Sequence, residues 1–150
     1  MSKRPLIAVL NGVNFNMLGQ RDPFQYGTQS LTELERTVSE QAERQGVDVE
    51  FFQSNHEGEY VEHLHGLRNR VDGAITNPGA WSHYSWAIHD ALEIAAVPTV
   101  EVHLSDISER EEWRRHSVIS DVCIATISGK GVDGYEQALA LLVAQIQGNA

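Results

Sequence analysis

The chain has 150 residues, with 11 Lys+Arg against 21 Asp+Glu, a formal net charge of −10, and 41% hydrophobic residues. That length fits a single domain, expected over 1–150, large enough to bury about two thirds of its unfolded-chain surface without a disulfide scaffold. The acidic balance argues against a nucleic-acid binder and against a polybasic membrane-surface protein, but not against an anionic small molecule held by a few local arginines.

Pro5 to Leu10 is a short apolar strand candidate that runs into the polar loop Asn11-Gly12-Val13-Asn14-Phe15-Asn16. It is too short for a secretory signal, and no stretch of the chain approaches a membrane span, so the expected location is cytoplasmic. A long segment follows, through Arg21, Pro23, Tyr26 and Gly27. Ser30-Leu31-Thr32-Glu33 then forms a capping box, in which Ser and Glu side chains satisfy free amides at a helix start. Leu31, Leu34, Val38 and Ala42 continue at helical spacing until Gly46.

The pattern repeats. Val47 to Gln53 alternates and is rich in β-branched and aromatic residues, and Ser54-Asn55-His56-Glu57 reads as a second capping box. Ala74-Ile75-Thr76 is a third strand ending at Asn77-Pro78-Gly79, and a helix is expected from Ser82 to Ala95. Thr99 to Leu104 and Val122 to Ile127 are the fourth and fifth strands, which makes Cys123 a buried strand residue. The stretch between Ser105 and Ser120 is charged and irregular, and a last helix carries Leu139, Leu142, Val143 and Ile146 on its apolar side. Short apolar strands alternating with helices imply a parallel sheet covered on both faces. Right-handed crossovers then favour an α/β flavodoxin-like three-layer sandwich with a five-stranded parallel sheet.

In such folds ligands bind outside the carboxyl ends of the strands. The residues there are Asn11, Asn14 and Asn16, then Ser54, Asn55 and His56, then Asn77 with His83, then Glu101, His103 and Ser105. Their convergence points to a polar, hydroxyl-rich small ligand. Glu101 and His103 share one face of a strand, and a carboxylate beside an imidazole suits it for general acid work. Arg21 and Tyr26 lie in a segment long enough to act as a lid, where an arginine would make tyrosine a better base. No metal-ligand spacing is present. Gly129-Lys130-Gly131 lacks the spacing of a phosphate loop and follows the last strand instead of the first. Trp81, Tyr84 and Trp86 make an aromatic cluster expected to pack against another subunit.

Several motifs in order resemble the type II 3-dehydroquinate dehydratases. They are Leu10-Asn11-Gly12-Val13-Asn14-Phe15-Asn16-Met17-Leu18-Gly19, Arg21-Asp22-Pro23 with Tyr26-Gly27, and Gln53-Ser54-Asn55-His56-Glu57-Gly58-Glu59. Further on come Asn77-Pro78-Gly79-Ala80, Ser82-His83, Asp90-Ala91, Glu101-Val102-His103-Leu104-Ser105, Arg110-Glu111, Arg114, His116-Ser117 and Gly134-Tyr135. The resemblance covers nearly the whole chain. It implies conversion of 3-dehydroquinate to 3-dehydroshikimate by anti elimination of water through an enolate, with neither metal nor cofactor, in the shikimate or quinate pathway. By the same resemblance Tyr26 is the base, Arg21 holds it, Asn14 stabilises the enolate, and His103, oriented by Glu101, is the acid. Asn77, His83, Leu104 (through its backbone amide), Ser105 and Arg114 bind substrate, and Asp90 reaches a neighbouring subunit's site in a dodecamer built from trimers.

The chain departs from the family pattern at Val13, Phe15, Tyr84, Trp86, His89, Asp106, Ser108 and Glu109. These positions touch substrate detail and subunit packing more than the elimination chemistry. They leave open a dehydratase of a related substrate such as an aminodehydroquinate. A non-catalytic flavodoxin-like binding domain is the other alternative, although the asparagine-rich loop after the first strand is not the Ser/Thr/Gly-rich phosphate loop a flavin would need.

Overall fold

The computed structural model describes residues 3–148. Five strands, β1 (Leu6–Asn11), β2 (Asp48–Gln53), β3 (Gly73–Asn77), β4 (Thr99–His103) and β5 (Ala125–Ser128), pair in parallel in the order β2-β1-β3-β4-β5. The helices are α1 (Pro23–Tyr26), α2 (Leu31–Gln45), α3 (Glu57–His65), α4 (Trp86–Ala95) and α5 (Asp133–Gly148). The expected three-layer α/β sandwich is therefore the observed one.

Strand alternation sends successive side chains to opposite layers. Ile7 and Val9 of β1 join Leu34, Val38, Leu139 and Leu142 of α2 and α5 in one core. Ala8 and Leu10 join Tyr60, Leu64, Ile88 and Leu92 of α3 and α4 in the other. Every residue of β3 and β4 is buried. That double burial explains why Gly73 to Thr76 of β3 reads as a continuous run of apolar and small residues. It also means that each polar side chain within the two strands needs an internal partner.

Local signals worked where a side chain satisfies its own helix. Ser30 accepts from the Glu33 amide at 3.1 Å while the Glu33 carboxylate accepts from the Ser30 amide at 3.2 Å, so the first capping box forms. The second does not. His56 is the residue before α3 and makes no side-chain cap, because Ser54 Oγ instead accepts from the His56 amide at 2.9 Å and turns the chain. The expected helix from Ser82 is split. A 3₁₀ turn covers Gly79–His83, and α4 starts after Ser85, whose hydroxyl accepts from the Ile88 amide at 3.0 Å. The last strand also starts later than expected, because a 3₁₀ turn occupies Ser120–Val122. Cys123 sits outside the sheet and is half-buried. Trp81 is a core residue packed edge-on to Tyr60, whereas Tyr84 and Trp86 are 60% and 62% exposed.

The crossover between β4 and β5 is long, and two further 3₁₀ turns, Ile107–Glu109 and Glu112–Arg114, fold it over the carboxyl end of the sheet. Opposite it stands the segment from Asn11 to Ser30, which carries α1, capped by the Asp22 carboxylate accepting from the Phe24 amide at 3.0 Å. Gly12 lets this segment approach β3. A Cβ there would lie 2.5 Å from the Pro78 carbonyl oxygen, so only glycine fits. Among the described residues no helix is long and apolar enough to cross a membrane.

Candidate active site

A cleft opens at the carboxyl end of the sheet, between the two long segments. Asn14, Arg21, Tyr26, Asn77, His83, His103, Leu104, Ser105 and Arg114 all line it, as does Arg110. Glu101 lies behind His103. Asp90 does not reach the cleft of its own chain; its side chain is 72% exposed on α4 and accepts a hydrogen bond from His89 at 3.0 Å.

The strand end of β4 carries a buried pair. His103 Nε2 lies 2.5 Å from Glu101 Oε2, and Glu101 Oε1 accepts from Ser120 Oγ at 2.8 Å and Thr126 Oγ1 at 3.1 Å. Burial pushes the Glu101 carboxyl up. The hydrogen bond and charge of His103 and the surrounding hydroxyls outweigh it and hold the group below the usual carboxylate range. An ionised acceptor at Nε2 requires that nitrogen to carry its hydrogen, which leaves Nδ1 as the working atom of the ring.

His83 stacks near His103 with ring centroids 6.0 Å apart, and the Trp113 ring meets its edge at 5.5 Å. Its Nδ1 lies 2.6 Å from the His116 carbonyl, which can only accept, so Nδ1 donates and Nε2 is left as an acceptor. Burial lowers the His83 pKa from its ordinary value, reinforced by the nearby His103 and Arg114, against the raising effect of the His116 carbonyl. The ring is therefore neutral near pH 7.

Tyr26 sits at the end of α1 between two arginines. The Arg21 guanidinium lies 3.8 Å over the centre of its ring. Arg110 Nη1 donates to Tyr26 Oη at 3.1 Å and to Ser105 Oγ at 3.0 Å. Arg21 thus grips the ring face, and the donor to the phenolic oxygen is Arg110, a residue the sequence reading placed in a motif but gave no role. Its neighbours in sequence, Glu109 to Arg115, look like a solvated charged stretch, and only the fold turns this one guanidinium inward.

Asn14 adopts a left-handed backbone, φ 71°, which asparagine tolerates better than most residues. The Asn55 carbonyl Oδ1 accepts from the Asn14 amide at 2.8 Å and from Gln53 Nε2 at 3.2 Å. The polar residues after β2 therefore brace the loop after β1; they do not line the cleft.

The formally charged lining residues are Arg21, Arg110 and Arg114, with no Asp or Glu among them. A chain with net charge −10 thus presents a locally cationic cleft. Arg114 is steadied by Glu111, 2.8 Å away, and by the Trp113 ring at 4.1 Å. Among the described residues one group, His89, Asp90 and Glu93, has metal-ligand atoms within 4.8 Å of one another. It lies outside the cleft, and both His89 nitrogens already face carboxylates, at 3.0 Å to Asp90 and 3.2 Å to Asp121.

Comparison with known proteins agrees with this geometry. The model of the family described as dehydroquinase class II matches residues 5–143. The chain is 54% identical to the 3-dehydroquinate dehydratase of Thermotoga neapolitana, over 89% of this chain and 90% of that one. It is 45% identical to the enzyme of the same name from Bacillus pumilus, over 94% and 96%. The crystal structure of type II dehydroquinase from Propionibacterium acnes superposes with a TM-score of 0.91 at 40% identity, covering 96% of this chain and 99% of that one. With its five-stranded parallel sheet, its matched length and these identities, the chain belongs to the class II dehydroquinase family.

Proposed function

We propose that this chain dehydrates 3-dehydroquinate to 3-dehydroshikimate, a step of the shikimate pathway, with Tyr26 as base and His103 as acid. One observation carries the reading: an arginine-bound tyrosine and a carboxylate-bound histidine line a single cleft whose formal charges are all positive. A substrate bearing a carboxylate, hydroxyls and a ketone matches that lining.

The ketone acidifies the proton on its α carbon, C2. Tyr26, as phenolate, takes that proton, and the electron pair moves onto the carbonyl oxygen to give an enolate. Asn14 stabilises this oxygen through a water, as an oxyanion-hole donor does. The enolate pair then returns to form the C1–C2 double bond and expels the C1 hydroxyl. His103, protonated at Nδ1, supplies the proton that lets it leave as water. Tyr26 ends protonated and His103 neutral, and exchange with solvent restores both. Glu101 stabilises the imidazolium that donates. Arg110 places an N–H donor where negative charge resides on Tyr26 Oη, and Arg21 holds the ring. Arg114 pairs with the substrate carboxylate, aided by Ser105 and the Leu104 amide, while Asn77 and His83 bind ring hydroxyls.

The same reading assigns the chain to a cytoplasmic dodecamer of trimers in which Asp90 reaches a neighbour's site. The exposure of Tyr84, just before α4, and of Trp86, at its start, supports an interface there. The test of activity is direct: purified protein mixed with 3-dehydroquinate is followed by the ultraviolet absorbance of the conjugated enone product. A folded protein without turnover refutes the proposal, and a monomer in light scattering refutes the assembly.

A further inference from the structure

Behind the cleft, a buried polar relay joins three elements. Tyr135, in the first turn of α5, has no exposed surface, yet its hydroxyl reaches the carboxyl ends of two adjacent strands. It lies 2.6 Å from Asn11 Oδ1 on β1 and 3.1 Å from Asn77 Nδ2 on β3. Asn11 and Asn77 are paired neighbours in the sheet, and Asn77 lines the cleft.

The lengths set the direction of the relay. A hydroxyl donating to a carbonyl oxygen is a short bond, about 2.7 Å, whereas an amide N–H donating to oxygen is longer, about 2.9–3.0 Å. The 2.6 Å contact is therefore Tyr135 donating to Asn11, and the 3.1 Å contact is Asn77 Nδ2 donating to Tyr135. Donor counting agrees. A hydroxyl has one hydrogen, so one of the two amides must accept it and the other must donate. Burial raises the Tyr135 phenol pKa, so the hydroxyl keeps the hydrogen the relay needs.

We infer that Tyr135 is a positioning residue for substrate binding: with Asn11 as its fixed acceptor, it locks the Asn77 amide in one of two flipped orientations. One Nδ2 hydrogen is spent on Tyr135, and the other hydrogen and Oδ1 remain for the ligand. Without the relay the amide rotates, and a substrate meets a mixture of donor and acceptor faces. The Asn11 Nδ2, buried without a partner among the described residues, fits this account: the Tyr135 hydroxyl claims Oδ1, and the amide nitrogen is left over. The inference rests on the dehydratase reading, because it needs Asn77 to contact substrate.

The test is steady-state kinetics of the assembled enzyme with 3-dehydroquinate. Tyr135→Phe keeps the ring and removes only the hydroxyl. It is expected to raise KM by about 2- to 13-fold, equivalent to one hydrogen bond's net worth, with kcat within about threefold. In an Asn77→Ala background the same change is expected to leave KM unaltered, since no amide remains to be held. A merely structural tyrosine would lower the melting temperature alike in both backgrounds and leave KM alone, so wild-type KM in Tyr135→Phe, or an equal rise in both backgrounds, overturns the inference. If Tyr135→Phe does not fold, Asn11→Ala gives the same reading: a raised KM that vanishes in Asn77→Ala supports the relay, and an unchanged KM refutes it. Absence of turnover by the wild-type protein would sink the dehydratase reading itself, and is thereby told apart from failure of the relay.

Discussion

Replacing Glu101 by Gln preserves the shape of a fully buried side chain while removing its charge. The two hydroxyl contacts survive, because the Gln Oε1 accepts from Ser120 and Thr126 as the carboxylate does. The contact 2.5 Å from His103 Nε2 does not. The Gln nitrogen is a donor, so the ring must move its hydrogen to Nδ1, and the imidazolium form then opposes one N–H to another. A hydrogen bond to a charged group is worth about 1.5–3 kcal/mol, and this buried pair has no solvent to weaken it. At about 1.36 kcal/mol per decade the expected loss in kcat is roughly 10- to 150-fold, with KM within about threefold. The assay is enone absorbance at saturating substrate, with circular dichroism to confirm folding. A folded Glu101→Gln enzyme whose kcat lies within about twofold of wild type would refute the argument that the carboxylate sustains the acid. Acid stability offers a second readout. The folded-state pKa of Glu101 lies below its ordinary value of 4.5, so the stability it contributes is present above that value and lost as pH falls through the lower one. The variant is expected to lose part of this acid sensitivity.

Tyr26→Phe is expected to bind substrate in calorimetry yet lose at least about 100-fold in turnover, the usual scale for removing a general base; wild-type rates would refute its role. Arg110→Met removes the donor to Tyr26 Oη and is expected to lower kcat by about 10- to 150-fold. Arg110→Lys restores charge but replaces the planar guanidinium, whose Nη1 donates to both Tyr26 and Ser105, with an ammonium on a differently shaped stem, so it should recover activity only in part, and full recovery would show that charge alone suffices. His89 is held above its ordinary pKa by the hydrogen bonds it donates to Asp90 and then Asp121. Its contribution to stability is complete below the unfolded value of 6.5 and is lost as pH rises through the higher folded value. His89→Ala should therefore lower the melting temperature more at about pH 6 than at about pH 9, and an equal loss at both would refute the linkage.

The site was legible where a short-range rule sufficed. Glu101 and His103 sit two apart on a strand, and the period of a strand alone places both side chains on one face. Asn77 ends a strand, and Asn14 and Ser105 follow strand ends, where this class of sheet opens its cleft. Arg110 was not legible, because one inward guanidinium in a charged, irregular stretch has no local mark. The shift of the last strand has a similar origin. Val122-Cys123-Ile124 has the apolar composition of a strand, but Ser120 and Thr126 both bond Glu101, and a 3₁₀ turn across Ser120–Val122 delivers the first of them.

Periodicity, caps and the order of elements were enough to determine a parallel sheet covered on both faces, since those follow from burying apolar stripes between neighbours in sequence. Motif spacing was enough to determine the family. The tertiary structure decided which of the many polar residues at the strand ends face the cleft and which brace its walls. Asn55 and Gln53 look no different in sequence from Asn14 and Asn77, yet they hold a loop from behind. It also decided that an acidic chain has an arginine-lined cleft. Charge in sequence is a sum, whereas a site depends on which few charges the crossovers bring within hydrogen-bond distance of each other.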